Sequence, residues 1–244
     1  MMNPAQTTVR DVVAADFRAA AIFQQHGLDF CCGGGRTIAD ACQAKGVSIE
    51  ELSKKLEELA ATPAAGIPQF NLWSPALLVD YIVGNHHRYV RETAPTILAH
   101  AKKVARVHGD HRPETVRIAE LFEGVVRELD QHMQKEEGIL FPAIKRIAGG
   151  AGSAPAAMPF GSIRNPIRMM EMEHQDAGND MAEIRQLSHD FTPPEDACMT
   201  YRVLYQELHA FEQDLHQHVH LENNILFPKA VELEQGTAAT TATA

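Results

Sequence analysis

The chain has 244 residues, enough for one large domain or for a small one plus a medium one. A net charge of -10 without a long Lys/Arg run counts against a nucleic-acid partner, and no stretch of about 18 uncharged apolar residues offers a membrane span. A hydrophobic fraction of 45% allows a sizeable core, and thirteen histidines are more than such a chain usually carries, a hint of metal chemistry.

The opening residues MMNPAQTTVRDVV lack the apolar core of a signal peptide. A cytoplasmic protein is expected, with its four cysteines as thiols in a reducing compartment. Residues 8–60 read as three short helices. The first spans about 9–26 and stops at Gly27 as a C′ residue. The loop LDFCCGGGR follows. Thr37, with Asp40 three residues on, caps the second helix, which Gly46 ends. Ser48 and Glu51 open the third. The linker ATPAAGIPQF then separates a small helical domain, 1–65, from the rest.

Four long helices are expected from Ser74 onward. Ser74 is a good N-cap and Pro75 suits the first helical position. The first long helix runs to about His108 with a bend at Pro95, and the second covers about 113–147. A loose segment, AGGAGSAPAAMPFGSIRN, precedes the third, from Pro166 to about Ser188. The fourth starts after Thr192 and its two prolines and reaches about Leu233. No run alternates as a strand does, so the fold class is all-α, an antiparallel four-helix bundle over 74–235. The small, polar end, 236–244, reads as a disordered tail.

Two segments repeat the pattern H-x-x-x-E-x-x-I-L-F-P: one starts at His132 with Glu136, the other at His218 with Glu222. They fall on the second and fourth long helices. The first and third each offer one histidine, His87 and His174. The H-x-x-x-E pairs lie 86 residues apart and the single histidines 87, as in two helix hairpins related by a pseudo-twofold. Residues i and i+4 share a helix face, so each pair aims an imidazole and a carboxylate at one point. Four nitrogens and two carboxylates then meet in the core, where bare carboxylates would cost several kcal/mol each in desolvation. Two cations relieve that cost. If both glutamates bridge, each cation takes two histidines and two carboxylate oxygens; an oxo or hydroxo bridge adds a fifth ligand and leaves a sixth position open. Mixed nitrogen and oxygen ligands suit iron, with zinc or manganese as alternatives, and no cysteine lies in the repeat to make a thiolate zinc site.

His86 points about 100° away from His87 on an α-helix, so only one of the two is expected to face the core. His216 and His220 lie off the face of His218. His26, His100, His108, His111, His189 and His209 read as solvated or capping residues. Glu137 and Glu173 adjoin the predicted ligands, either holding second hydrogen bonds to them or remaining solvated charges. The Ile, Leu and Phe of I-L-F-P read as core, and the proline as a helix bend or end. Cys31 and Cys32 precede three glycines and a helix start. A nest of backbone N–H groups, the helix N-terminus and Arg36 would all lower a thiol pKa there. These thiols are expected to receive iron, handle a nitrosyl group or move electrons, against the alternative of an apolar pair closing a turn. Cys42 reads as core and Cys198 as structural.

These residues, with LDFCCGGGRTIADAC upstream, resemble the repair-of-iron-centres family of bacterial di-iron proteins over about 8–233. The resemblance implies a hemerythrin-like bundle behind a short Cys-Cys domain. It also implies two non-haem iron ions on His87, His132, His174 and His218, with Glu136 and Glu222 bridging. The implied function is repair of iron–sulfur clusters damaged by nitric oxide or peroxide, with damaged iron–sulfur proteins as partners and nitric oxide or oxygen as small ligands. The same ligands would serve a nitric oxide reductase forming nitrous oxide, or a gas-binding module, and the sequence does not separate the three. An apolar face on the small domain would suit a homodimer.

Overall fold

Thr8 starts the first helix with a reciprocal cap: its hydroxyl accepts from Asp11 N (3.2 Å), and Asp11 Oδ2 accepts from Thr8 N (3.1 Å). The computed structural model describes residues 3–63, 68–149 and 159–241. In place of one helix over 9–26 there are two, α1 (Val9–Ala15) and α2 (Ala19–Gln25). The break is chemical. The Asp16 carboxylate accepts from both the backbone N–H and the guanidinium of Arg18, and so competes with the helix for the chain. Gly27 and Gly46 take left-handed conformations (φ 65° and 67°) where the sequence asks for helix stops. Helices α3 (Ile38–Lys45) and α4 (Ile49–Ala61) begin at Thr37 and Ser48, whose hydroxyls accept from Asp40 N and Glu51 N. The expected linker falls partly on residues 64–67, outside the described residues.

Four long helices follow, three of them interrupted by a π-helical turn. Helix α5 covers 75–108 as Pro75–Tyr81, a π segment Ile82–His87, and Arg88–His108. Helix α6 covers 113–148 as Pro113–Lys135, π Glu136–Leu140, and Phe141–Ala148. Helix α7 is Arg164–Leu187, and α8 covers 199–241 as Met199–His220, π Leu221–Leu226, and Phe227–Thr241. Pro95 sits inside Arg88–His108, and α5 departs from α geometry at 82–87. Most of the expected loose segment, 150–158, lies outside the described residues. At the C-terminus the backbone is helical to Thr241, past the start of the tail expected at 236. Residues 242–244 lie outside the described residues.

Cross-helix pairs fix the directions. Lys102 meets Glu123 while Asp80 meets Lys145, Arg117 meets Glu183 while His132 meets Glu173, His100 meets Glu207 while His86 meets Asp214, and Arg185 meets Glu212 while His174 meets Asn223, so each of these helix pairs runs antiparallel. Among the described residues the fold is all-α, a bundle of four long antiparallel helices. One core joins Val9, Phe23, Phe30, Ile38 and Leu52 of the N-terminal segment to Phe122, Leu208 and Phe211 of the bundle. A second core at the other end gathers Phe70, Leu78, Ile82, Phe141, Ile144 and Phe227. Of the repeated I-L-F-P residues, Leu140, Phe141, Ile225, Leu226 and Phe227 are buried, but Ile139 is exposed. The prolines do not end their helices. Pro142 and Pro228 stand second in the α segments that resume after a π turn, where a residue without an N–H leaves no donor unpaired. Among the described residues no helix is long and apolar enough to cross a membrane.

Candidate metal centre

The π turns fall where the candidate ligands are. His87 closes the π segment of α5, and Glu136 and Glu222 sit at the start of those in α6 and α8, one turn after His132 and His218. Inserted π turns recur at functional sites because they re-aim side chains that a regular helix would carry past one another. His87, His132, Glu136, His174, His218 and Glu222 are all buried. Glu136 Oε2 lies 3.3 Å from both His87 Nε2 and His132 Nε2. Glu222 Oε1 lies 3.0 Å from His218 Nε2 and 3.9 Å from His87 Nε2, and its Oε2 lies 2.9 Å from His174 Nε2. The six residues form two overlapping groups. One holds His87 and His218, the other His132 and His174, and both share the two glutamates, with ligand atoms within 4.8 Å of one another.

This donor set fits cations. Both oxygens of Glu136, Oε2 of Glu222 and Nε2 of His87 are buried without a hydrogen-bond partner, an arrangement native proteins rarely leave uncompensated. Two cations, each between two imidazoles and both carboxylates, would use every one of these atoms. The charges already lean that way. Burial opposes a proton on His87, but Glu136 and Glu222 outweigh it and raise its pKa to about 10. Burial likewise opposes the charge on His132, yet Glu136 and Glu173 raise it to about 10. Burial and mutual repulsion push Glu136 and Glu222 toward neutrality, and the imidazoles prevail and hold both below the usual carboxylate range.

The far side of each ring shows how it is aimed. His87 Nδ1 meets Glu137 Oε1 at 2.6 Å, His132 Nδ1 meets Glu173 Oε2 at 2.8 Å and His174 Nδ1 meets Asn223 Oδ1 at 2.9 Å. Glu137 and Glu173 are therefore second hydrogen-bond partners, not solvated charges. The bond from His132, with Lys135 beside it, holds Glu173 at a pKa of about 2. A carboxylate behind a ligating imidazole raises its basicity and fixes its tautomer. Glu173→Gln is expected to weaken metal binding about 10–100-fold, with the fold intact by circular dichroism. A chelator competition titration matching the parent protein would remove Glu173 from this role.

Comparison with known proteins agrees. The Hemerythrin HHE cation binding domain family matches residues 78–230, and a Domain of Unknown function (DUF542) matches 5–60. The iron-sulfur cluster repair protein YtfE of Pectobacterium carotovorum subsp. carotovorum (strain PC1) is 42% identical over 217 residues, covering 88% of this chain and 91% of the relative. This chain belongs to the repair-of-iron-centres family. A probable iron-sulfur cluster repair protein of Haemophilus influenzae is 37% identical over 231 residues, 94% of this chain and 99% of its own length. YtfE of Yersinia pseudotuberculosis serotype O:1b is 39% identical over 215 residues, 88% of this chain and 91% of the relative.

Beside the centre of this repair-of-iron-centres protein lie residues that the repeat did not single out. His86 is buried as well as His87, because the π segment changes the 100° step assumed for an α-helix. Its Nδ1 meets Asp214 Oδ1 at 2.9 Å, and its ring stacks on that of His218 at 5.5 Å. His220 is buried against Phe17, in the turn between α1 and α2, and Phe30 of the cysteine loop, and burial lowers its pKa to about 4. His100 pairs with Glu207 and His26 with Lys55 near the surface. Cys198, expected to be structural, is exposed at the start of α8, with His108 Nε2 3.3 Å from its sulfur.

The cysteine loop lies against the centre, and its chemistry differs from the expectation. The Asp29 carboxylate accepts the N–H groups of Cys31 (3.0 Å), Cys32 (3.0 Å) and Gly33 (2.8 Å), so the nest already holds an anion. Thr37 caps the helix beyond. The hydrogen bond that the Cys31 thiol donates to the Cys32 sulfur and burial, with Asp29 beside it, push the Cys31 thiol pKa up, not down. Gly34 is required sterically, since a Cβ there would come within 2.5 Å of the Phe30 carbonyl. The two sulfurs are 3.9 Å apart, and both cysteines line a groove of about 380 Å³ between the loop, α7 and α8. Cys42 is buried, as expected of a core residue.

Proposed function

We propose that this protein holds two iron ions among His87, His132, Glu136, His174, His218 and Glu222, and supplies iron to iron–sulfur clusters damaged by nitrosative or oxidative stress in the cytoplasm. The observation that carries this reading is the convergence of four imidazole nitrogens on two buried glutamates, three of whose four oxygens lack a hydrogen-bond partner. His87 and His218 would hold one ion, His132 and His174 the other, with Glu136 and Glu222 bridging. Such a pair of irons supplies exchangeable metal and electrons. Thiolate ligands select iron in iron–sulfur clusters, so a cluster protein would compete for exchangeable iron held by nitrogen and oxygen donors. The names of the relatives, iron-sulfur cluster repair proteins, support the same assignment.

The groove beside Cys31 and Cys32 is the side on which an acceptor protein would dock, with the two thiols as the first stop for departing iron. The test is transfer from iron-loaded protein to an apo iron–sulfur protein in the presence of sulfide. The parent protein is expected to rebuild the cluster. The Cys31→Ser, Cys32→Ser double variant should retain its two irons and rebuild the cluster several-fold more slowly. Iron that stays with the loaded protein while the acceptor remains apo would rule out donation.

A further inference from the structure

Asn223 makes two hydrogen bonds to different parts of the chain. Its Oδ1 accepts from His174 Nδ1 at 2.9 Å, and its Nδ2 donates to the Cys31 carbonyl at 3.3 Å. The Cys32 thiol in turn points to the His174 carbonyl, 3.6 Å away. The next residue, Asn224, donates to the Phe30 carbonyl at 2.8 Å. The cysteine loop is thus tied to the helix turn that carries Glu222 and to the backbone of His174.

The pseudo-twofold makes Asn223 conspicuous. Glu137 follows Glu136 as Asn223 follows Glu222, and Glu137 takes the Nδ1 of His87 and pairs outward with Arg91. A carboxylate can only accept, whereas an amide accepts on one atom and donates from the other. An amide in this slot lets one side chain hold a candidate ligand ring and the cysteine loop together.

We infer that Asn223 is a positioning residue that couples occupancy of the metal centre to the posture of the Cys31–Cys32 loop. A His174 ring bound to a cation through Nε2 keeps its ring proton on Nδ1. That fixes Asn223 Oδ1 as the acceptor and turns its NH₂ toward Cys31. Freed of the cation, the His174 ring keeps on that edge only the contacts of its Nε2 with Glu222 (2.9 Å) and His132 (3.0 Å), and it moves with them. Movement of the ring slackens the Asn223 bridge and with it the bond to the Cys31 carbonyl, which loosens the loop. Loss of iron from the centre thereby exposes the thiols.

This inference rests on His174 as a metal ligand, so iron content is measured alongside. Full-length protein is alkylated with iodoacetamide at one pH, with two irons bound and after stripping by a chelator, and modification of Cys31 and Cys32 is followed by mass spectrometry. Loading should slow alkylation roughly threefold to tenfold, the reach of one hydrogen bond. Asn223→Asp keeps the acceptor for His174 but loses the donor to Cys31, so iron content should hold while the loaded and stripped rates converge. Asn224→Ala should speed both states and preserve their ratio, as a merely structural tie would. Equal rates in the loaded and stripped parent protein, with two irons counted in the loaded form, would overturn the inference alone, and this comparison decides even if Asn223→Asp does not fold. The parent's ratio persisting in Asn223→Asp would also overturn it. Protein that takes up no iron would overturn the ligand assignment and this inference with it.

Discussion

Glu222→Ala is expected to reduce bound iron from two per chain to at most one. Glu222 is buried and faces His87, His174 and His218 together, so its two oxygens serve both halves of the centre. Glu136 alone reaches only His87 and His132 within 3.3 Å and would leave His174 and His218 without a shared carboxylate. The metal-stripped variant should also lose about 3–5 kcal/mol against denaturant, because removing one partner of a buried ion pair strands the other. Iron analysis and urea unfolding read the two effects separately. A Glu222→Ala protein that keeps two irons and the parent's midpoint would overturn the bridging assignment.

Metal-stripped and iron-loaded protein should respond to alkaline pH in opposite directions. In the stripped chain His87 and His132 carry pKa values raised to about 10 from an ordinary value near 6.5. A pKa raised by folding means the folded state binds the proton more tightly. The resulting stability is fully present below about pH 6.5 and is lost as pH rises through about 10. Glu136 and Glu222, held below their ordinary value, contribute stability that is present above that value and lost as pH falls. Their neighbours bear on the same balance: His174 and His218 inside the centre, and Glu137, Glu173, Arg91 and Lys135 at its edge. Stripped protein should therefore be most stable near pH 5–6 and lose on the order of a few kcal/mol toward pH 10. Iron needs neutral imidazoles and competes with those protons, so iron binding strengthens as pH rises through the same range. Unfolding midpoints of the two forms between pH 6 and 9 check this. Parallel curves would mean that protons and cations do not compete for these rings.

Much of this was legible in the sequence, for physical reasons. The i, i+4 spacing places His132 with Glu136 and His218 with Glu222 on single helix faces whatever the surroundings, and their repetition with I-L-F-P exposes the pseudo-twofold. Ser74, Pro75, Gly27 and Gly46 mark their helix ends because each satisfies a local backbone need. The π turns left no compositional trace. They depend on packing across the bundle, and with them went the burial of His86. Asp16 splitting the first helix, and Asp29 filling the nest meant for the thiols, are side-chain contacts that no hydrophobic period reports. Asn223 had a readable signal in its place beside Glu222, matched by Glu137 beside Glu136, but its second bond reaches a loop almost two hundred residues away.

The measurement that bears most directly on the centre is a Mössbauer and electron paramagnetic resonance study of oxidised protein loaded with ⁵⁷Fe. Two bridging carboxylates would place the irons close enough for their spins to couple. The expected result is two irons per chain with an antiferromagnetically coupled, EPR-silent ground state. A single iron per chain, or two magnetically isolated ferric ions, would contradict the shared-glutamate centre.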